Sequence, residues 1–230
     1  MFMKLSHSTV LLLILLLLSS CITSNRDQEQ RRLALYFFAN NVGSEISIGD
    51  ANLIISEFKF SLDRFNLYTA NDLTLQTSAD VTALIYSYDQ NISGDRLILD
   101  VDLGFRDIDR FTGYELFVEP PSSRTGVLDG DFFGQDTNFS VIIRGTVDEL
   151  DFTFRSSLSF TNEYDFIVDV GGREETLIIR NLIDVEDVFT DSDGSFLNPV
   201  LSANEQKIVG NIESKLRVQA SSGTVFEVIP

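Results

Sequence analysis

Carboxylates are the reactive groups this chain holds in quantity, and two stretches set them beside other functional side chains. The first is a long break in strand-like patterning at 119–136, with Pro120-Pro121, Gly126, Gly130, Gly134 and the string Leu128-Asp129-Gly130-Asp131-Phe132-Phe133. Loops beyond about 12–15 residues are uncommon in compact domains and are often functional. Asp129, Asp131, Phe132, Phe133 and Asp136 therefore form a candidate binding loop, with aromatic faces beside acceptor-only carboxylates. The competing reading tucks Phe132 and Phe133 under the loop as a plug for one end of the fold. The second stretch joins Asp187 to Asp191-Ser192-Asp193-Gly194-Ser195. An EF-hand register with Gly194 at position six would put Phe189 and Val200 where carboxylate ligands belong, so that motif fails. Asp187, Asp191 and Asp193 are still expected as candidate ligands of a structural Ca²⁺, against a plain polar turn.

Other acidic pairs carry less. Asp100/Asp102 and Asp107/Asp109 stand two apart on a strand or its end, which is the spacing of a solvated sheet face. Two carboxylates about 5–10 Å apart across a sugar could make a glycosidase-like hydrolase. That is the alternative to a non-enzymatic role. The absence of Trp removes the favoured platform for stacking a sugar.

What the chain lacks excludes more. Its one His is His7, its two Met are Met1 and Met3, and its one Cys is Cys21. All four lie in the first 21 residues, where Lys4 precedes an apolar run over 10–18 and then Ser19, Ser20 and Cys21. A run that short, at about 1.5 Å per residue, cannot cross a core about 30 Å thick. A basic start, an apolar run and small residues in that order read as a secretory signal. The rest of the chain then has no His for a Ser-His-Asp or Cys-His pair and none for the commonest zinc or copper site. It has no second Cys for a disulfide.

Leu18-Ser19-Ser20-Cys21 resembles the lipobox of bacterial lipoproteins. The resemblance implies lipid attachment at Cys21, removal of residues 1–20, and a membrane partner reached through acyl chains. Two or more chains anchor stably where one does not. Ile22 rather than Asp after the Cys implies, by the same resemblance, the outer membrane of the cell envelope. Without Lys4, 35 acidic residues face 16 basic ones, a formal charge of about −19. Phosphate contacts need Lys and Arg, so nucleic acid is excluded as a partner. Another envelope protein remains a candidate.

The elements that must position these residues are strands. Residues 22–32 are polar and aperiodic, a tether after Cys21, and 33–230 form a single β-rich domain. Residues 33–38 read as a buried strand. Over 53–62, Ile54, Phe58, Phe60 and Leu62 take one face and Glu57, Lys59 and Ser61 the other. Similar alternation marks 97–105, 139–144 and 150–160, as a sheet with one buried face requires. Gly171-Gly172 suits a two-residue hairpin loop, Asp148-Glu149 a second, and 91–95 a third. Ser202-Ala203-Asn204-Glu205 has the form of a capping box, with Ile208, Val209, Ile212 and Leu216 at helical spacing after it. Residues 185–189 fit a strand or one helical turn, and 224–229 fit a closing strand.

The expected fold is all-β, an antiparallel β-sandwich or partly open barrel with one short C-terminal helix. The mature part is loosely similar to β-rich lipoproteins of Gram-negative envelopes. That similarity rests on lipobox, tether, sandwich pattern and the ending Phe189…Asp193-Gly194…Leu197-Asn198-Pro199 before a short helix. It carries over no functional residue. The expected role is a lipid-anchored, non-enzymatic binding or structural module.

Overall fold

The computed structural model describes residues 31–88, 96–104, 108–124, 127, 129–171 and 175–223. The signal, Cys21, most of the tether, the turn at 91–95 and the strand expected at 224–229 lie outside them. The elements run in chain order as β1 (Arg31–Asn40), β2 (Ile46–Ile48), β3 (Ala51–Thr69), β4 (Thr74–Ser87) and β5 (Arg96–Gly104). Next come β6 (Arg110–Val118), β7 (Val141–Val147), β8 (Leu150–Ser156), β9 (Phe160–Asp169) and β10 (Thr176–Asp184). Helix α1 (Val185–Val188), helix α2 (Glu205–Lys215) and β11 (Arg217–Gly223) close the order. Arg31 and Arg32, placed in the tether above, already belong to β1.

Two sheets face each other as an antiparallel-rich sandwich. The smaller has the order β11-β10-β1-β5. The larger is built on β3, which pairs with β7 along Leu53–Phe60, with β6 along Leu62–Thr69, and with β2 and β4 on its other side. β8 continues the sheet beyond β7, and β9 continues it beyond β6. Phenylalanines fill the space between the sheets. Phe60 meets Phe37 of β1 edge-on at 6.1 Å and Phe160 of β9 at 5.8 Å.

Bulges keep β3 facing the core over its length. Leu53 and Ile55 point inward. A register shift between Ile55 and Glu57 advances the period by one residue, so Phe58, Phe60 and Leu62 follow on the same face. A second shift between Leu62 and Arg64 does the same for Phe65 and Leu67. Ile54, grouped above with Phe58, is thereby corrected to the outer face, 39% exposed. A strict period of two cannot register an inserted residue. Gly145 is opposite: a Cβ there would stand 2.0 Å from the Ile54 carbonyl oxygen.

Three further expectations change. Gly171-Gly172 joins no hairpin, because β9 lies in the large sheet and β10 in the small one. The 91–95 turn likewise lies between strands of different sheets, β4 and β5. Flexible residues permit a crossover as readily as a tight turn, and partner choice is set by packing far away in sequence. β1 and β10 pair in parallel, the exception to the antiparallel expectation. Asp148-Glu149 does form its two-residue loop, with φ of 49° and 67°.

The C-terminal helix closes the edge of the sandwich at β9. Ile208, Val209 and Ile212 are buried, Asn162 Nδ2 donates to the Glu213 carbonyl, and Tyr164 Oη donates to the Leu216 carbonyl at 2.6 Å. The capping box does not form. Ser202–Asn204 make a 3-10 turn, and the carboxylate of Glu205 accepts from Ser156 Oγ at 2.8 Å instead. A bond that docks the helix on β8 replaces the local one. α1 settles the helical alternative for 185–189, with Asp184 capping it at Glu186 N.

Candidate functional site

β6 ends at Val118 and β7 begins at Val141, so the segment between them leaves the sheet in the middle of its outer face. The adjoining backbone is tied down at Ser61, whose amide donates to the Ser140 carbonyl at 2.8 Å and whose carbonyl accepts from Glu119 at 3.3 Å. Lys59, two residues earlier on the same face of β3, has a side chain only 3% exposed. A lysine is rarely buried unless it is paired, and here three carboxylates surround it. Nζ lies 2.7 Å from Asp129 Oδ2, 2.6 Å from Asp131 Oδ2 and 3.5 Å from Glu57 Oε2. Arg144, opposite Glu57 on β7, pairs with Glu57 and reaches Asp131 Oδ2 at 2.7 Å.

The apolar side of the site is a small cluster set apart from the main core. Phe132, Val127 and Ile142 are buried together, with Phe133 and Phe139 half-buried against them. Lys59 Nζ stands 5.7 Å from the Phe132 ring centroid, within cation–π range. Arg124 lies over Phe133, 5.0 Å from its centroid. The structure thus gathers Asp129, Asp131, Phe132 and Phe133 from the candidate loop. Asp136 stays apart, exposed. Phe132 is turned under the loop, but against Ile142 in a cluster separate from the main core rather than as a plug for one end of the fold, and Phe133 is only half-buried.

Burial alone would lower the Lys59 ammonium. The bonds from Asp129 and Asp131 and the charge of Glu57 outweigh it, and its pKa is raised. The Lys59 bond, reinforced by Arg144, holds Asp131 below the usual carboxylate range despite partial burial. Contacts this short raise the question of amide formation between Lys59 and Asp131. Condensation needs a neutral amine and a neutral acid, and both shifts run the other way. The arrangement is an ionic fastening. Neither Lys59 nor Arg144 stands out in the sequence, where alternation puts Lys59 on the face of β3 opposite Phe58 and Phe60. The available signal was its rarity: after the signal segment the only lysines are Lys59, Lys207 and Lys215.

Asp187, Asp191 and Asp193, the candidate calcium ligands, are not brought together as one group. Asp191 is paired with Lys207, and that bond with the Ser192 amide holds its carboxyl below the usual range. Asp193 accepts from the Ser195 amide at 2.9 Å, closing a turn at Gly194 with φ 84°. Asp187 is exposed on α1. Among the described residues no three acidic side chains are grouped to hold a metal ion. Asp100 pairs with Arg32 across β1 and β5, as a sheet-surface residue does.

One open groove of about 430 Å³ lies at the far end of the large sheet, between Tyr68, Asp72, Thr112, Glu163 and Asp165. Tyr68 in its lining is held by Glu115, which accepts from Tyr68 Oη at 2.8 Å and from Asn66 Nδ2 at 2.6 Å. No family model, no curated protein and no solved structure matches the chain.

Proposed function

We propose that the protein is an envelope lipoprotein, held on a membrane by acyl chains on Cys21, whose sandwich acts as a non-enzymatic binding or structural module. The observation in its favour is the placing of the carboxylates. Among the described residues, Lys59 is the only charged side chain in the buried set, and that set contains no Asp or Glu. Asp129 and Asp131 of the long insertion are engaged in fastening it to the sheet. A hydrolase of the carboxylate type instead needs one acid desolvated enough to hold its proton near neutral pH. The anchor, with the outer membrane as its address, rests on Leu18-Ser19-Ser20-Cys21 and Ile22. A Cys21→Ser variant, or globomycin treatment, is expected to leave an uncut precursor; normal processing would sink the lipoprotein reading. Crosslinking in intact cells with partner identification then tests the module.

A carboxylate-based hydrolase on the same anchor is the second reading, and the groove flanked by Asp72, Glu163 and Asp165 is the feature in its favour. Glycan cleavage by purified protein, lost in Glu163→Gln or Asp165→Asn, would establish it over the first.

A further inference from the structure

Residues 129–139 are bonded mainly to themselves. Phe133 N donates to the Gly130 carbonyl at 3.2 Å, Gly134 N to Thr137 at 3.0 Å, and Phe139 N to Phe132 at 2.8 Å. Asp131 N donates to Asp129 Oδ1 at 2.9 Å. Toward the sheet the segment presents two carboxylates, Asp129 and Asp131, and the sheet answers with two cations, Lys59 and Arg144. Another hold is the Phe132–Ile142 cluster, which is separate from the main core. The others are the Arg155 guanidinium of β8, at 5.7 Å from the Phe139 ring centroid, and Asn138 Nδ2, which donates to the Pro121 carbonyl at 2.7 Å. β6 and β7 pair with β3 by ladders to which the segment contributes nothing.

We propose that residues 129–139 are an acid-released strap: protonation of Asp129 and Asp131 strips Lys59 of its strap-side partners, and the segment lifts away while the sandwich stays folded. Ile142 and Phe132 are then bared on the outer face. One chemical event reaches every ionic contact of the strap, because its acceptors are all carboxylates. The charged groups around Lys59 are Glu57 on its own strand, Arg144 on β7, and Asp129 and Asp131 on the strap. Its neighbours on β4, Leu84 and Thr82, are uncharged. Glu57 is shared with Arg144 and stands at 3.5 Å, so it is the weaker partner left to Lys59.

The sign follows from Asp131. A carboxyl held below its ordinary value of about 3.9 contributes stability above that value and loses it as pH falls through the lowered one. Release therefore begins below about pH 4. An Asp129→Asn/Asp131→Asn protein mimics the neutral state at pH 7, free of the general effects of acid. Hydrogen exchange on this variant should speed up about tenfold or more at 129–139, with β1 and β10 still protected. Binding of a hydrophobic dye should rise with it, and Asp136→Asn should change neither. Wild-type protein titrated into acid should lose protection at 129–139 before β1 and β10. Unchanged exchange at 129–139 in the double variant, or loss only together with β1 and β10 in both experiments, would overturn the proposal.

Discussion

Val118 and Val141 sit end to end along one edge of β3, opposite Leu62 and Phe60, although residues 119–140 separate them in the chain. β6 and β7 are therefore one strand line interrupted by an excursion. β9 and β8 repeat the line outside it, with Phe160 beside Val118 and Ser156 beside Val141. A sheet with both lines intact does not depend on the excursion. Replacing 119–140 by a short glycine-containing linker, with Ile142→Thr to suit the uncovered face, should leave a cooperatively unfolding β protein. Circular dichroism and urea unfolding check this. Loss of the β signal would mean that the insertion is integral to the fold.

Lys59 should be the costliest of the charges beneath the strap. Removing one partner of a buried ion pair leaves the others desolvated and unmatched. Asp129 and Asp131 keep 27% and 37% of their side-chain surface in water, which softens the cost. Lys59→Met is thus expected to lose about 1–3 kcal/mol in urea unfolding, toward the low side of buried pairs. Arg144→Met should lose less, because Arg144 is 31% exposed and Lys59 still neutralises Asp131. The reverse ranking would show that Arg144, not Lys59, is the centre of the cluster.

That centre was hidden from the sequence for a physical reason. Alternation along β3 correctly puts Lys59 on the face opposite Phe58 and Phe60, and an outer face is normally wet. Only the return of 129–139 over it makes that face dry, and no local period records a segment arriving from 70 or 72 residues away. Ile54 shows the second limit, since one bulge moved it to the other face of β3. The pairing of β10 with β1 shows a third, because Gly171 marks a change of direction without saying which sheet receives the chain. Local chemistry was legible where it acts alone. The Asp148-Glu149 loop is such a place, and so are the strand content and the helix bearing Ile208, Val209 and Ile212.

The Asp148-Glu149 loop separates two substitutions that look alike. Both residues hold positive φ, which costs a non-glycine residue roughly 1 kcal/mol. Glu149 is exposed, and Glu149→Gly should raise stability by about 0.5–1 kcal/mol through relief of strain. Asp148 also accepts from the Asn52 amide at 2.9 Å through Oδ1 and bonds the Asn52 carbonyl at 2.8 Å through its own amide. Asp148→Gly loses the side-chain bond and should gain nothing or fall. Urea midpoints compare the two, and equal gains would mean that the Asn52 contact contributes nothing.

Tyr114 and Asn181 are polar side chains with no exposed surface, set inside the sandwich. The Tyr114 hydroxyl and the Asn181 Oδ1 are buried without a hydrogen-bond partner among the described residues, while Asn181 Nδ2 donates to the Tyr36 carbonyl at 3.2 Å. Burial pushes the Tyr114 hydroxyl far above its usual value, and the nearby Asn181 offsets only part of that rise. Tyr164, stacked on Tyr114 with centroids 6.5 Å apart, is raised as well, again by burial. A group with its folded pKa raised gives stability that is complete below the unfolded value and is lost as pH climbs toward the folded one. Stability should therefore fall above about pH 10, where unfolded tyrosines ionise and the buried ones do not. Tyr114→Phe removes one of the responsible groups. At neutral pH it should cost little or stabilise slightly, because the hydroxyl it removes is buried without a hydrogen-bond partner, and above pH 10 its curve should fall less steeply than that of the wild type. Parallel curves would show that the alkaline loss arises elsewhere, in Tyr164 or in the half-exposed Tyr68.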